Sequence, residues 1–421
     1  MRKLIVLLLV MLTVMGTLFA QGKTETAAVE EARPEVVNLK VWYSISGSAG
    51  TFFESQVAAF QEAHPEIAIE LTYSGSYADS ATKISAAKMA GDAPDMVITS
   101  ASQLYPGQDG DFSMEELATT DAEFDVADIQ SGILEYAKYE GKIASLPFGI
   151  STQVIYYNKE LVAAAGLDLE KNPPKTWDEF VEVVKTVMAA TGVAGFDTSD
   201  SVWLVKSMLY QNDNQVVEVV DGTVTPTFDN ESGLEVADYW KSLVDSGVME
   251  AGAHSNAEKK FLAGNLAFVA ATSNRITRWE GSTTFTLGAI EMPCFKKQAV
   301  ALGGSTTTIL TTDKWTKDAA WQLIKYVLNT ENQSAFALAS GYLPIRKSSL
   351  EVAEVKDKIE NNELYNVATK QLSYAWAYTH FGAMGTMDSL LWYALDDIEH
   401  GTKTPADAFK NAASQLIQDI D

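Results

Sequence analysis

The chain has 421 residues, 47% of them hydrophobic, and a formal net charge of −25 at pH 7. A chain of this length exceeds what one hydrophobic core usually supports, so two domains are expected. The acidic balance argues against nucleic acid and anionic membranes as partners, and the single cysteine, Cys294, excludes an internal disulfide.

The first twenty residues have the pattern of a cleavable signal peptide. Two basic residues precede an apolar run from Leu4 to Leu12, and Ala20-Gln21 fits a cleavage point. Residues 21–36 are polar, charged and aperiodic, which is typical of a flexible tether. Because the only cysteine lies far from the cleavage point, we predict an exported protein that carries no lipid.

Strands and helices alternate in the predicted structure from residue 37 to residue 98. Val37–Tyr43 and Ile67–Tyr73 have strand character, and a helix with apolar side chains at helical spacing lies between them. A Ser/Gly turn at 74–77 and a helix of small residues to Ala90 then lead into the strand Met96-Val97-Ile98. This alternation predicts a parallel, doubly wound sheet, in which ligands bind at the carboxyl ends of the strands.

Residues 145–177 predict a passage of the chain from one compact unit into another. A strand rich in β-branched and aromatic residues is followed by a short helix that begins at Asn158 and is closed by Gly166. A Pro-Pro link at 173–174 precedes a second helix, for which Thr176 and Glu179 form the expected cap.

The remainder of the chain is predicted to mix helices and strands. Residues 195–249 are mainly helical in pattern, with a hairpin expected around Asp221-Gly222. Strands are predicted at 264–269 and 285–292, and the Gly-Gly-Ser of 303–305 opens a segment that ends in a helix at 315–329. Thr404 caps the last helix.

The order and spacing of several motifs resemble those of ABC-importer extracellular solute-binding proteins, closest to the glycerol-3-phosphate-binding periplasmic type. These motifs are Tyr-Ser-Gly-Ser-Tyr at 73–77, Pro147-Phe148, Ser151-Thr152, Tyr-Tyr-Asn-Lys at 156–159, Ala-Gly-Leu-Asp at 165–168, Pro-Pro-Lys-Thr-Trp at 173–177, Gly-Gly-Ser at 303–305 and Gly-Tyr-Leu-Pro at 341–344. The resemblance implies an α/β, two-lobed periplasmic binding protein of type II-like architecture. Each lobe would be a mostly parallel sheet flanked by helices, with the ligand in the interlobe cleft. Residues 37–147 plus about 287–344 would form lobe 1, and residues 148–286 plus about 345–421 would form lobe 2.

The same resemblance implies a monomeric periplasmic receptor, with no cofactor, metal or catalysis. It would close around a small solute and deliver it to the transmembrane subunits of an ABC permease. The four histidines show no metal-ligand spacing, and the chain carries no nucleophile-elbow, phosphate-loop or dinucleotide motif. Two alternatives stay open: a secreted carbohydrate-active enzyme, since 56 acidic residues do not exclude a catalytic pair, and a chemosensory receptor.

Candidate ligand-binding residues come from matching motifs and from the chemistry of sugars. Sugar sites combine flat aromatic rings with hydroxyl, amide and carboxylate groups. The matching motifs imply contacts from Tyr77, Ser151, Trp203, Ser273, Gly304 and Tyr342, and the neighbouring Trp42, Asp79, Arg275 and Ser305 suit the same chemistry. Core packing is the alternative for both tryptophans, and helix packing is expected of Trp376 and Tyr378.

Two departures from the subgroup bear on the ligand. Thr99-Ser100-Ala101 stands where the subgroup carries an acidic residue, and residues 380–386 lack the arginine that meets the phosphate. Phosphate recognition needs charge-assisted donors. We therefore expect a saccharide or polyol in preference to a phosphodiester, although Arg275 or Arg346 could substitute for the missing arginine.

Overall fold

A computed structural model of the protein describes residues 32–104, 113–252 and 254–420. From Val36 onward the chain forms one compact unit. The predicted signal peptide, residues 1–20, lies outside the described residues, as do residues 21–31 of the predicted tether. Within the described ranges, no helix has the length and apolar character needed to cross a bilayer.

The strands form one large sheet and two small hairpins. In chain order they are β1 (Val37–Tyr43), β2 (Ile67–Tyr73), β3 (Met96–Thr99), β4 (Lys138–Tyr139), β5 (Lys142–Ile143), β6 (Leu146–Asn158), β7 (Ala194–Thr198), β8 (Val217–Val220), β9 (Thr223–Pro226), β10 (Leu266–Thr272), β11 (Leu287–Ile290), β12 (Val300–Ile309) and β13 (Ala375–Trp376). The large sheet has the order β2-β1-β3-β12-β6-β10-β7, with β11 beside β6 and β13 beside β12.

The helices lie between these strands in sequence and pack against them. In chain order they are α1 (Gly47–Ala63), α2 (Tyr77–Ala90), α3 (Ala101–Leu104), α4 (Ser113–Thr120), α5 (Ser131–Glu135), α6 (Lys159–Ala164), α7 (Trp177–Thr191), α8 (Ser201–Gln211), α9 (Glu231–Asp245), α10 (Ala257–Leu262), α11 (Arg275–Trp279), α12 (Lys314–Leu328), α13 (Thr330–Ser340), α14 (Ala353–Asn361), α15 (Glu363–Lys370), α16 (Met384–His400) and α17 (Pro405–Ile420). α12 packs against β1 and α7 against β7, so helices cover both parts of the sheet.

The predicted α/β class is confirmed, and the sheet is mixed. β1 runs parallel to β2 and β3, and β10 runs parallel to β7. The long strand β12 is antiparallel to both β3 and β6, and β10 and β11 are antiparallel to β6. The doubly wound pattern predicted from residues 37–98 therefore holds for the outer strands, whereas the strands in the middle of the sheet pair antiparallel.

Strand β6 joins two parts of the sheet, as the crossing segment predicts. Its residues up to Thr152 pair with β12, and those from Gln153 onward pair with β10 and β11. Every residue of β6 is buried. The lobe boundaries stay a prediction. β11 pairs with the second half of β6, the half that also pairs with β10. This pairing favours a return of the chain to lobe 1 after Ile290 over a return before residue 287.

Predicted helix ends and turns match the structure closely. Asn158 caps α6, and Thr176 forms a capping box with Glu179 at the start of α7. The hairpin turns at Asp221-Gly222, between β8 and β9. These agreements follow from local side-chain chemistry, which operates whatever the rest of the fold.

One local prediction is wrong. Residues 195–198, part of the segment predicted as mainly helical, belong to β7, a strand whose last four residues are buried as it pairs with β10. Gly303-Gly304-Ser305 lies inside β12. Gly304 has φ +120°, and a Cβ there would lie 1.9 Å from the Gly149 carbonyl oxygen, so these glycines let β12 approach β6 closely.

Candidate ligand-binding cavity

A cavity of about 760 Å³ lies at the carboxyl ends of the parallel strands. Ser44–Ser46 follow β1, Tyr73 ends β2 and Ser100 follows β3, while Asp200 follows β7 and Thr272 ends β10. Loops at this edge of an open α/β sheet converge on one crevice. The topology alone therefore brings residues from distant parts of the chain to the same cavity.

Four tyrosines form much of its inner wall: Tyr77, Tyr136, Tyr342 and Tyr378. The hydroxyls of Tyr136 and Tyr378 are 3.4 Å apart, and their rings meet edge to face with centroids 5.6 Å apart. Burial raises the pKa of all four phenols. Each hydroxyl therefore stays neutral and can both donate and accept a hydrogen bond.

Trp203 supplies a flat ring whose orientation is fixed. The backbone N–H of Trp203 donates to Asp200 Oδ1 at 2.9 Å, which caps α8, and its indole Nε1 donates to the Ala301 carbonyl at 3.1 Å. A Cβ at Gly303 would lie 2.5 Å from Trp203 Cζ2, so the glycine leaves room for the indole to rest on β12. Trp203 is thus both a packing residue and a cavity wall.

The two cations among the described lining residues each have a carboxylate partner. Lys206 pairs with Asp388, and Arg275 Nε donates to Glu258 Oε1 and Oε2 at 3.0 and 3.2 Å. Asp200, the remaining lining acid, is open to the cavity, but the surrounding protein disfavours its charged form and raises its pKa.

One face of α16 lines the cavity along two helical turns. Gly385, Asp388, Ser389, Trp392 and Tyr393 lie on this face, at the spacing of neighbours on a helix. The side chains of Trp392 and Tyr393 are 48% and 61% exposed, so these two aromatic rings border the cavity where solvent reaches it. The sequence analysis missed this helix, although two large exposed aromatics on an otherwise amphipathic helix were an available signal.

Six of the ten predicted site residues lie around the cavity: Tyr77, Ser151, Trp203, Arg275, Gly304 and Tyr342. Trp42, Asp79, Ser273 and Ser305 are not among the lining residues. That the six bind solute stays a prediction. Residues missed by the sequence analysis include Tyr136, Tyr378, Lys206, Asp388 and Asp200.

The four residues outside the lining have structural contacts. Asp79 Oδ2 accepts hydrogen bonds from the backbone N–H and hydroxyl of Ser76, which caps α2 and lowers the pKa of Asp79. Ser273 Oγ is buried and accepts from the Thr152 N–H at 3.3 Å. Trp42 packs partly buried against the core from β1, and Ser305 is fully buried within β12.

The packing expected of Trp376 and Tyr378 is found for the first residue and not for the second. Trp376 is packed, as predicted, although it lies in β13 and not in a helix; its ring stacks on Tyr210 with centroids 4.1 Å apart. Tyr378 lines the cavity, so its assignment to helix packing is wrong.

The structure rules out Arg346 as a substitute for the missing arginine. Arg346 is buried, forms an ion pair with Asp128 at 3.0 Å and donates to the Asp125 carbonyl, away from the cavity. In the segment 380–386, His380 Nε2 donates to the Tyr136 carbonyl at 2.8 Å, and burial lowers the His380 pKa to about 3. The imidazole is therefore neutral, and this segment offers no cation to a phosphate.

Comparisons with known proteins give one consistent family. A family model described as bacterial extracellular solute-binding protein matches residues 55–363. The sn-glycerol-3-phosphate-binding periplasmic protein UgpB of Escherichia coli is 24% identical over 412 residues, which cover 90% of this chain and 92% of the relative.

Two solved structures share the fold across most of the chain. UgpB from Mycobacterium tuberculosis, in complex with glycerophosphocholine, is 22% identical with a TM-score of 0.77, covering 91% of this chain and 98% of that one. The cyclic alpha-maltosyl-1,6-maltose binding protein from Arthrobacter globiformis is 22% identical with a TM-score of 0.76 and the same coverage. The predicted two-lobed architecture is that of these neighbours.

Proposed function

The chain belongs to the bacterial extracellular solute-binding proteins, and we propose that it is the periplasmic, monomeric solute-binding component of an ABC importer, with a neutral saccharide or polyol as its solute. The observation that carries this proposal is the composition of the cavity wall. Aromatic rings and hydroxyl groups dominate it, and the two cations among its described residues are each paired with a carboxylate.

The aromatic and hydroxyl groups suit a polyhydroxylated solute. Trp203 and the rim residues Trp392 and Tyr393 offer flat apolar surfaces for the C–H faces of a sugar. The tyrosine hydroxyls, with Ser100 and Ser151, can donate to or accept from solute hydroxyls, because each hydroxyl does both. Closing such a cavity excludes water and strengthens these hydrogen bonds.

The charges of the wall favour a neutral solute. A phosphate gains most from cations that are free to make charge-assisted, bidentate hydrogen bonds. Lys206 and Arg275 already have Asp388 and Glu258 as partners, so an anion would have to compete with a carboxylate at either one. Such competition lowers the affinity of the cavity for phosphorylated compounds.

The crossing strand β6 supports uptake by hinge closure. β6 pairs with both parts of the sheet, and Ser151 on β6 and Gly304 on its neighbour β12 line the cavity. A solute that contacts both parts stabilises the closed arrangement over the open one, which is the condition for a ligand-driven change of shape. The closed form would then dock on the permease.

A glycerophosphate-like solute is the second candidate, and Arg275 favours it. Its Nε bonds to Glu258, whereas Nη1 lies 3.4 Å from the amide oxygen of Asn274, a weaker contact. Arg275 also lines the cavity, so the guanidinium could turn its outer edge towards a phosphate. The names of the UgpB relatives, which bind sn-glycerol-3-phosphate or glycerophosphocholine, agree with this second candidate.

A thermal-shift screen followed by calorimetric titration tests the proposal. Neutral mono- and oligosaccharides and polyols form one panel; glycerol-3-phosphate and its diesters form the other. A solute at a hundred times its Kd stabilises the folded protein by about 2.7 kcal/mol. We expect stabilisation from a member of the neutral panel only, and small-angle scattering should show compaction with that solute.

Matched tryptophan variants control the screen. Trp203→Leu should abolish the shift, whereas Trp315→Leu, on α12 and outside the lining, should retain it. A melting shift confined to phosphorylated compounds would establish the second candidate instead. Conversion of a glycan to products would contradict a binding function altogether.

A further inference from the structure

The ion pair of Lys206 and Asp388 is built into the cavity wall between α8 and α16. Only 4% of the Lys206 side chain is exposed, against 31% for Asp388. The Lys206 ammonium lies 4.7 Å from the centroid of the Tyr378 ring, which covers it on another side. A solute that enters the cavity therefore meets the carboxylate more readily than the ammonium.

We propose that Asp388 is a specificity-determining residue, which makes the cavity select hydroxyl-bearing neutral solutes and reject anionic ones. This inference rests on the proposed function and assigns its selectivity to one side chain. Asp388 neutralises Lys206 and offers its carboxylate to solute hydroxyls as an acceptor. A phosphate at the same place would face a like charge, and repulsion of this kind is an effective means of discrimination.

The position of Asp388 on α16 supports this role. It lies one turn after Gly385 and one turn before Trp392, in the middle of the helix face that lines the cavity. A solute resting against Trp392 would therefore have Asp388 within reach on the same face.

The other charged groups near the pair do not take over its role. Asp200 is electrostatically coupled to both Lys206 and Asp388, but its carboxylate accepts the Trp203 N–H and caps α8. Arg275 is held by Glu258 on another element. Neutralising Asp388 would thus leave Lys206 with one cavity-facing acid, Asp200, which is already engaged.

Calorimetric titration of three variants tests the inference. Asp388→Asn keeps the shape and removes the charge; the double variant Lys206→Met with Asp388→Asn removes both charges. Asp396→Asn is the matched control, since it makes the same charge change on α16 at a half-exposed residue outside the lining. The probes are glycerol-3-phosphate, inorganic phosphate and the neutral solute found in the screen.

We expect Asp388→Asn to bind glycerol-3-phosphate at least ten-fold more tightly than wild type, with a steeper loss of affinity in salt. Its affinity for the neutral solute should fall, because the amide of asparagine is a weaker hydrogen-bond acceptor for solute hydroxyls than the carboxylate of Asp388. The double variant should lose the gained anion binding, and Asp396→Asn should resemble wild type for every probe.

The outcomes separate this inference from the proposed function. If wild type binds a neutral solute and a folded Asp388→Asn gains no anion affinity, the assignment of Asp388 is wrong while the function stands. If wild type binds only phosphorylated probes, both are wrong. Should Asp388→Asn not fold, Asp388→Ser, which admits water beside the ammonium, gives the same test with the same two outcomes.

Discussion

His254 should make the stability of the protein depend on pH between neutral and alkaline values. Its Nδ1 lies 2.6 Å from Asp197 Oδ1 and its Nε2 lies 2.8 Å from Glu399 Oε1, so one protonated ring can donate to two carboxylates. These partners belong to β7 and α16, and 13% of the His254 side chain is exposed. The charged imidazole therefore links two elements that lie far apart in sequence.

The magnitude follows from the pKa of His254. Burial alone would lower this pKa, but hydrogen bonds and charge from Asp197 and Glu399 outweigh it and raise the pKa from 6.5 to about 9. At about 1.4 kcal/mol for each pKa unit, protonated His254 contributes about 3 kcal/mol to stability. Because the folded-state value is the higher one, this contribution is complete below pH 6.5 and is lost as pH rises through 9.

Glu399 titrates outside this window. Burial would raise its pKa, but the hydrogen bond to His254, the charge of His254 and the hydrogen bonds from Gly252 N and Trp240 Nε1 lower it overall. Its contribution is present at neutral pH and disappears only as pH falls below the ordinary value of 4.5.

Urea unfolding followed by tryptophan fluorescence, repeated from pH 6 to pH 10, measures the His254 contribution. His254→Gln should be less stable than wild type at pH 6, and the difference should shrink by about 3 kcal/mol by pH 10. His64→Gln is the control, since His64 is a partly exposed residue near Glu66. Parallel stability curves for wild type and His254→Gln across this range would refute the reasoning.

Three substitutions test other structural claims, each by urea unfolding. Gly304→Ala should lower the free energy of unfolding by about 3 kcal/mol or more, because its Cβ would lie 1.9 Å from a β6 carbonyl oxygen and φ is +120°. Gly382→Ala is the control and should be nearly neutral, since nothing lies within 4 Å of its Cβ. Equal losses of stability would contradict the close approach of β6 and β12. Gln371→Leu should cost about 3 kcal/mol, since it removes hydrogen bonds of 2.7 to 2.8 Å to the crossing strand and to Met292, and an unchanged midpoint would show that these bonds are not needed. Trp203→Phe should cost about 1 kcal/mol for the lost indole hydrogen bond and weaken solute binding several-fold; unaltered binding would remove Trp203 from the site.

The fold was predictable from sequence where local chemistry determines structure. The cap at Asn158, the capping box at Thr176 and the hairpin at Asp221-Gly222 are set by neighbours within a few residues, and each is present in the structure. β7 was missed because its five residues include a glycine and an aspartate, which are uncommon in strands, and because pairing with β10 stabilises it. Such pairing depends on residues that no local pattern reveals.

The site was only partly predictable, for the same reason. Tyr77, Ser151 and Tyr342 lie in motifs that resemble a known family, and all three line the cavity. The ion pair of Lys206 and Asp388 joins helices widely separated in the chain, so neither residue carries a sign of the other in its own sequence context. Asp79 is the opposite case, since it was predicted to bind the ligand and does not line the cavity. Its carboxylate, three residues after Ser76, forms the capping box of α2.

The distribution of charge around the cavity explains why closure would require a solute. Every described lining residue that precedes β6 is neutral, from Ser44 to Tyr136, and the charged ones, Asp200, Lys206, Arg275 and Asp388, all follow it. We take the lining residues before β6 as one wall of the cavity and those after β6 as the other. If these two walls approach each other, the first brings only hydroxyls, rings and apolar groups, and the cations of the second already have partners. Closure by itself therefore creates no new ion pair. A ligand shifts a conformational equilibrium only through contacts that differ between its states. With no ion pair to hold the empty cavity shut, the hydrogen bonds and ring contacts that favour the closed state would come from the solute that bridges the walls.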